Sequence, residues 1–478
     1  MTANSTKGSD NEETSPKTKA DEKNKKREDD ILALFERYER QLKNLDPELV
    51  AADDEVALQE AFKYAKEIMR PQELVEWFIS LAEPFYRSAS WKMLLPIYEE
   101  LLDTAERELG PEAPGTASAL NGLAGIYRYM GKHEEALRLL LRALGIREKV
   151  LGSNQPETGD TLSELGILCS VMDRQEEAIS YYTRALEIQE NFLSTENLGA
   201  IRTLNRMAFY YKGIEKPEKS EELFVRVLGL LERLAEKEPE NRKVMVYTAG
   251  TLNNLGVLLS EMGKLEEAEE KYGQALKLQE KIYGKEHPQI AQTLNNLALL
   301  YFQTTRYEKA LILYTRSLEI MENMGKTEHA GFATTLNNLA GVYVQKGRHE
   351  KALELYTRAL EIRERILGPD NPEVAKTLNN LGELHRILGQ HKKALPLYTR
   401  ALKIYESTLG PTHPDVGTTL NNLAGLHESM GEYETAIDLY EKALDIIEKE
   451  YGPDHPYFKI TRNNLLGLYE KMERSWRG

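Results

Sequence analysis

TLNNLAGVYVQKGRHEKALELYTRALEIRERILGPDNPEVAK, residues Thr335 to Lys376, is a phrase that the chain repeats. It restarts at Thr377 as TLNNLGELH and at Thr419 as TLNNLAGLH, and earlier copies open at Thr293 (TLNNLALLY) and Thr251 (TLNNLGVLL). Successive starts lie 42 residues apart. A fixed period of this size is the mark of stacked supersecondary units.

Each unit reads as a helix hairpin. Leu336, Leu339, Ala340 and Tyr343 fall on one helical stripe. Gly347 breaks the helix, because glycine takes the left-handed turn without a Cβ clash. A second stripe follows in Ala352, Leu355, Tyr356, Ala359, Leu360 and Ile362. Leu367-Gly368-Pro369 ends it, and Pro372 suits the first turn of the next helix, where its missing N–H costs nothing. The small residues Ala340, Ala352 and Ala359 mark close backbone approach, and Tyr356 fills the space between helices. One hairpin has too little core to stand alone, so it must stack on its neighbours. The expected fold is all-α, a right-handed α-solenoid of stacked helix hairpins, with about twenty-one helices and no strand between 71 and 472.

The Ala…Tyr…Ala series recurs as Ala394, Tyr398, Ala401 and as Ala436, Tyr440, Ala443. With the small residue of the first helix and the glycine turn, it resembles the tetratricopeptide repeat. The 42-residue phrase with LNNLA, LYxRALxI and LGPxHP is most similar to the variant found in kinesin light chains and in many bacterial and archaeal repeat proteins. The resemblance covers roughly 85% of the chain. It implies first helices lining a concave surface that takes protein segments; kinesin light chains take Trp-with-acidic peptides there. The stretch before the repeats is too short for the long heptad coiled coil that a kinesin subunit carries.

The chain has 478 residues, a net charge of −15 and a pI near 5.3. That balance argues against a nucleic-acid-binding face, which would be basic. No apolar run approaches the ~20 residues of a membrane span, and no apolar signal segment opens the chain. Cys169 is the only cysteine, which excludes a disulfide framework within one chain. Its context, LGILCSVM, favours a small core residue over a reactive thiol. The expected location is intracellular, in the cytoplasm.

Residues 1–30 are polar and read as a disordered tail, with Ser5, Thr6, Thr14 and Ser15 as modification candidates. Residues 31–70 hold two capping helices, Ile31–Leu45, broken by Asp46-Pro47, and a second near Asp54–Met69. Nine hairpins follow over 71–460, the first degenerate, and 461–478 is a lone capping helix. The turn glycine is replaced by Asp173, Glu215 and Thr305. The hairpin at Thr203 diverges most, with Pro217, Ser220 and Val227 in its second helix. It is six residues longer than the period, the excess lying in 238–247, where Asn241 is a candidate cap for an extended first helix. That insertion is either a partner contact or a harmless lengthening.

No catalytic constellation is present: there is no GxSxG, P-loop, GxGxxG or HExxH. His-Glu occurs at His133, His349 and His427, but Leu137, Leu353 and Gly431 stand where a second zinc histidine would be. His287, His413 and His455 precede prolines in separate loops and read as turn residues. No metal, cofactor or enzyme activity is expected. The asparagine pairs carry the functional signal. One Asn of each pair is expected to order the stack. The second, Asn254, Asn296, Asn338, Asn380 or Asn422, is expected to face the groove and offer a carboxamide to a peptide backbone. Positions three and six beyond it include Ile167, Phe209, Lys212, Val257, Leu299, Phe302 and Val344, either apolar anchors or residues covered by neighbouring helices. Arg202, Arg206 and Lys212 would steer an acidic flank, with Glu164 and Glu261 of opposite sign nearby and a merely solvated face as the alternative. The expected function is a protein-interaction scaffold or adaptor binding an extended peptide segment through repeats from Thr203 to about Asn380. The alternative is an assembly or regulatory factor that wraps a folded partner or self-associates. The partner is a protein or peptide, and the chain is expected to be a monomer, with an oligomer left open.

Overall fold

The structure, a computed structural model, describes residues 16–43, 45, 50–87, 90–194 and 197–477. Among them are twenty-one α-helices and one 3-10 turn, with no strand. Two compact units divide between Val244 and Met245, inside helix α11.

The first unit opens with α1 (Pro16–Leu42) and α2 (Ala52–Ile68). Helix α1 begins fifteen residues before Ile31, so residues 16–30 are helical where the sequence pointed to a disordered tail. Those residues are mostly good helix formers behind a proline at the first position, and Lys25–Asp30 stay exposed. Polarity excludes them from a core without excluding them from a helix. The four tail hydroxyls Ser5, Thr6, Thr14 and Ser15, and the Asp46-Pro47 breaker, lie outside the described residues. Phe35 and Leu42 of α1 are buried with Phe62 of α2 and Phe78 of α3 (Pro71–Arg87) in one cluster. The Trp77 indole donates to Glu39 across the same joint.

Hairpins follow: α3 with α4 (Trp91–Glu108), α5 (Pro114–Tyr129) with α6 (His133–Val150), α7 (Pro156–Val171) with α8 (Gln175–Gln189), and α9 (Gly199–Gly213) with α10 (Pro217–Lys237). Helix α11 (Arg242–Glu261) is 20 residues long against 16 for α13. Asn241 caps it, its Oδ1 accepting the Val244 N–H at 3.2 Å. The second unit continues through α12 (Leu265–Tyr283), α13 (Pro288–Gln303), α14 (Tyr307–Asn323), α15 (Ala330–Gln345), α16 (His349–Leu367), α17 (Pro372–Ile387), α18 (His391–Thr408), α19 (Pro414–Met430) and α20 (Tyr433–Tyr451). It ends in α21 (Pro456–Arg477), which packs on α19 and α20.

The turn inside each hairpin from α5 onward follows one design. The Arg348 N–H reaches the Tyr343 carbonyl at 2.9 Å while Gly347 sits at φ 68°. This is the left-handed close that satisfies the orphaned carbonyls of a helix end. Asp173, Glu215 and Thr305 adopt the same conformation, at φ 56°, 55° and 58°. A side chain there costs about 1–2 kcal/mol, partly offset by the greater unfolded-state freedom of glycine. Thr305→Gly is therefore expected to stabilise the second unit by about 0.5–1 kcal/mol, read as slower amide exchange in α13 and α14. Unchanged or faster exchange would show that the threonine is compensated locally.

Between hairpins, the arginine of the YTRAL phrase pins each second helix to the one before. Arg316 reaches Glu280 at 2.7 Å, and Arg400 reaches Glu364 at 2.6 Å and the Pro369 carbonyl at 3.0 Å. In the first unit Arg142 pairs with Glu106 and reaches the Pro111 carbonyl. These pairs are about one-third exposed, open enough to water that each contributes on the order of 1 kcal/mol. The loop histidines are caps: Nδ1 of His287, His413 and His455 accepts the N–H two residues on, as does Asn371 in the loop before α17.

Candidate functional site

In the second unit the first helices lie side by side: α13 packs on α15, α15 on α17, α17 on α19 and α19 on α21. The apolar stripe of each turns to its own second helix, leaving the asparagine pairs at the seams. There the amides form a ladder. The Asn296 NH2 group donates to Asn253 Oδ1 at 3.1 Å, and Asn380 to Asn337 at 3.0 Å. Asn464 reaches Asn421 at 3.0 Å, and Asn338 reaches Asn295 at 3.5 Å. The sequence reading divided each pair between stack and groove. In the structure the second asparagine of one repeat and the first of the preceding one hold the seam together, and Asn254, Asn296, Asn338, Asn380 and Asn422 are all half-buried. Asn296 and Asn380 each leave over the carbonyl oxygen, which accepts no bond among the described residues, and the second hydrogen of the NH2 group. The oxygen is placed to accept from a ligand N–H. Asn422 is reversed. Its oxygen accepts from Asn421 at 3.3 Å, so its NH2 group is the part left over.

The phrase-opening threonines belong to the same seam. Thr335 Oγ1 donates to Asn295 Oδ1 at 3.2 Å, and Thr419 Oγ1 accepts from Asn379 at 2.8 Å. Both threonines are 2% exposed or less. A hydroxyl that recurs at a buried position needs a fixed partner, so the repeated threonine is itself a sequence signal for the seam.

The apolar candidates differ. Leu299 is 38% exposed, the most open in the second unit. Val257 and Phe302 are half-buried, the Phe302 ring lying 5.7 Å from Tyr307. Val344 is half-buried against the same core cluster as Phe302.

In the first unit, Arg202, Arg206, Phe209 and Lys212 lie on α9. Phe209 is 48% exposed and packs edge-on to Phe224 at 5.6 Å. The arginines are engaged. Arg206 bridges Glu164 at 2.8 Å and donates to Ser163 at 3.0 Å, the rung that amides make in the second unit. Arg202 lies 3.3 Å from Asp160. Burial pushes the Glu164 carboxyl up, but Arg206, Arg128 and Arg202 together outweigh it and hold it below the usual carboxylate range. The spacing of Arg202 and Arg206 suggested cations offered to a ligand; the carboxylates of α7 take them instead. Lys212 is half-buried. Cys169 is fully buried, and that burial pushes its thiol up, as a core residue requires.

The tetratricopeptide repeat profile matches residues 81–149, 116–191, 157–233, 247–323, 331–407, 377–449 and 415–477. The chain belongs to the tetratricopeptide repeat family. BtubC (BKLC) from P. vanneervenii is 28% identical over 50% of this chain and 94% of its own, with a TM-score of 0.42. A putative kinesin light chain from Podosopora anserina with nearly identical TPR-like repeats is 24% identical over 42% and 94%, with a TM-score of 0.37. The apo form of the quorum sensor NprR from B. thuringiensis is 16% identical over 79% of this chain and 99% of that one, with a TM-score of 0.52. No curated protein matches the chain. Tetratricopeptide repeats are interaction scaffolds, and this chain is one. Among the described residues no helix is long and apolar enough to cross a membrane.

Proposed function

We propose that this tetratricopeptide repeat protein is a non-enzymatic adaptor that holds an extended segment of a partner protein along the first helices of its second unit. The observation that supports this reading is the pairing of an open apolar side chain, Leu299, with the unused carbonyl oxygens of Asn296 on the same helix, α13, and of Asn380 two first helices on, in α17. An extended segment presents N–H groups to such acceptors and an apolar anchor to Leu299. Each neutral hydrogen bond contributes about 0.5–1.5 kcal/mol net. Phe302, on the same helix as Leu299, and Val257, on α11, are half-buried already and gain less than Leu299. The acidic flank suggested by the kinesin-light-chain resemblance has weak support, since Arg202 and Arg206 are paired within the chain.

The test is selection of displayed peptides on the full chain, with the selected peptides then titrated against wild type and Leu299→Ser. The substitution removes an exposed side chain, so the fold should hold. A loss of about tenfold is expected, the worth of burying part of one leucine. Equal affinity for the same peptides would place the site elsewhere. Binding of folded partners only, with no peptide selected, would favour the wrapping alternative.

A further inference from the structure

The face of first helices in the second unit continues past Asn380. At the seams of α17, α19 and α21 it sinks into a niche of about 350 Å³ lined by Glu383, Arg386, Asn422, Glu428, Ser429 and Tyr440. Gly425 opens it: a Cβ added there would meet only the Tyr440 hydroxyl, 3.6 Å away.

The charges in the niche cancel. Arg386 forks onto Glu383 with two bonds of 2.7 Å, and Lys471 reaches Glu428 at 3.1 Å. Glu383 also accepts the Tyr398 hydroxyl at 2.9 Å, so its oxygens are largely used. Glu428 is less committed, since its bond from Tyr440 is long at 3.4 Å. Asn422 adds a free NH2 donor beside it. An incoming carboxylate would meet two carboxylates, and an incoming cation would meet Arg386 and Lys471. A neutral group with one acceptor and one donor meets neither penalty: its oxygen takes the Asn422 NH2 and its N–H goes to Glu428.

We propose that this niche is a side-chain pocket for a carboxamide, the glutamine or asparagine of a partner segment whose apolar anchor rests at Leu299. The inference rests on the peptide-binding reading above. The path from α13 to the seam of α17 and α19 spans two to three helix spacings of about 8–10 Å, or roughly 20–25 Å. Extended chain advances about 3.3 Å per residue, so the carboxamide stands about six to eight residues from the anchor.

The experiment uses fluorescein-labelled Gly/Ser peptides with one tryptophan anchor. Each carries Gln, Glu, Lys or Leu seven residues from the anchor, on either side, and is titrated against the full chain by fluorescence anisotropy. The Gln peptide in one direction is expected to bind at least about tenfold tighter than its Leu counterpart, as one neutral hydrogen bond to Asn422 and one to the Glu428 carboxylate would give. Gly425→Leu fills the niche and favours the helix, so it should abolish that increment while leaving the Leu peptide unchanged. Glu or Lys binding better than Gln overturns the carboxamide assignment, as does an increment that survives Gly425→Leu. If the Leu peptides bind but Gln adds nothing, the niche proposal fails alone. If no anchored peptide binds, the groove reading fails and takes this inference with it.

Discussion

Arg363→Ala is expected to destabilise the α15–α17 region by about 2–4 kcal/mol, the cost of orphaning several buried polar groups and opening a cavity. Arg363 is 1% exposed and joins three helices. Its Nη1 donates to the Glu373 carbonyl at 2.8 Å and to Thr377 Oγ1 at 2.7 Å on α17. Its Nη2 donates to Thr334 Oγ1 at 3.0 Å on α15, and bridges the Glu373 carboxylate at 2.7 Å. Truncation strands these acceptors. The Glu373 side chain is 47% exposed and water can take it back, which keeps the loss below that of a fully buried ion pair. Arg363→Met should cost much less. Met321 occupies the equivalent position one repeat earlier and is buried, so the site accepts an apolar chain of this length. Thr377 also retains its bond to the Glu373 carbonyl, at 3.2 Å. Hydrogen exchange resolved by helix checks both variants. Equal effects of Ala and Met would mean that the lost polar staple accounts for the whole cost and that refilling the volume recovers nothing.

The hairpins were legible because the repeat writes each packing requirement many times. Glycine at the turn, alanine at the close approach and tyrosine between helices each follow from one steric need. Even the exceptions fit: Asp173, Glu215 and Thr305 take the backbone conformation of the glycine they replace. Polar groups were harder to place. Helical position puts Asn296 at a seam, and which of its two amide atoms is used depends on Asn253, a residue 43 positions away. Arg202 and Arg206 looked like offered cations because spacing along one helix says nothing of Asp160 and Glu164 on the helix beside it. Arg363 sits in a charged-looking run, EIRER, and its burial shows only when Thr334 and Thr377 are brought around it. The helical start at Pro16 is not legible in polarity, because a run of good helix formers can extend a helix into solvent beyond its packed part. Leu299, by contrast, is exposed as its helical position predicts, because a position fixed on its own helix is enough to set exposure.

Ala359→Leu is expected to cost about 1–3 kcal/mol by overpacking the joint between α15 and α16. Ala359 is fully buried in the main cluster of the second unit. The equivalent residue one repeat earlier measures the room available: Ser317 is also fully buried, and its Oγ lies 2.8 Å from the Ala291 carbonyl of the facing helix. One heavy atom beyond Cβ therefore already reaches the opposing backbone, and the three extra carbons of leucine can enter only if the helices part. Valine is accepted at this position in α10, where Val227 is fully buried in the most divergent hairpin. Ala359→Ser is the matched control. Its hydroxyl can bond the Ala333 carbonyl as Ser317 bonds Ala291, so it should be close to neutral. Because each repeat packs only on its neighbours, exchange should quicken in α15, α16 and α17 and stay unchanged in α5 and α6. Equal quickening in every repeat would mean that the chain unfolds as a single cooperative block, and that the strain at one joint is felt throughout.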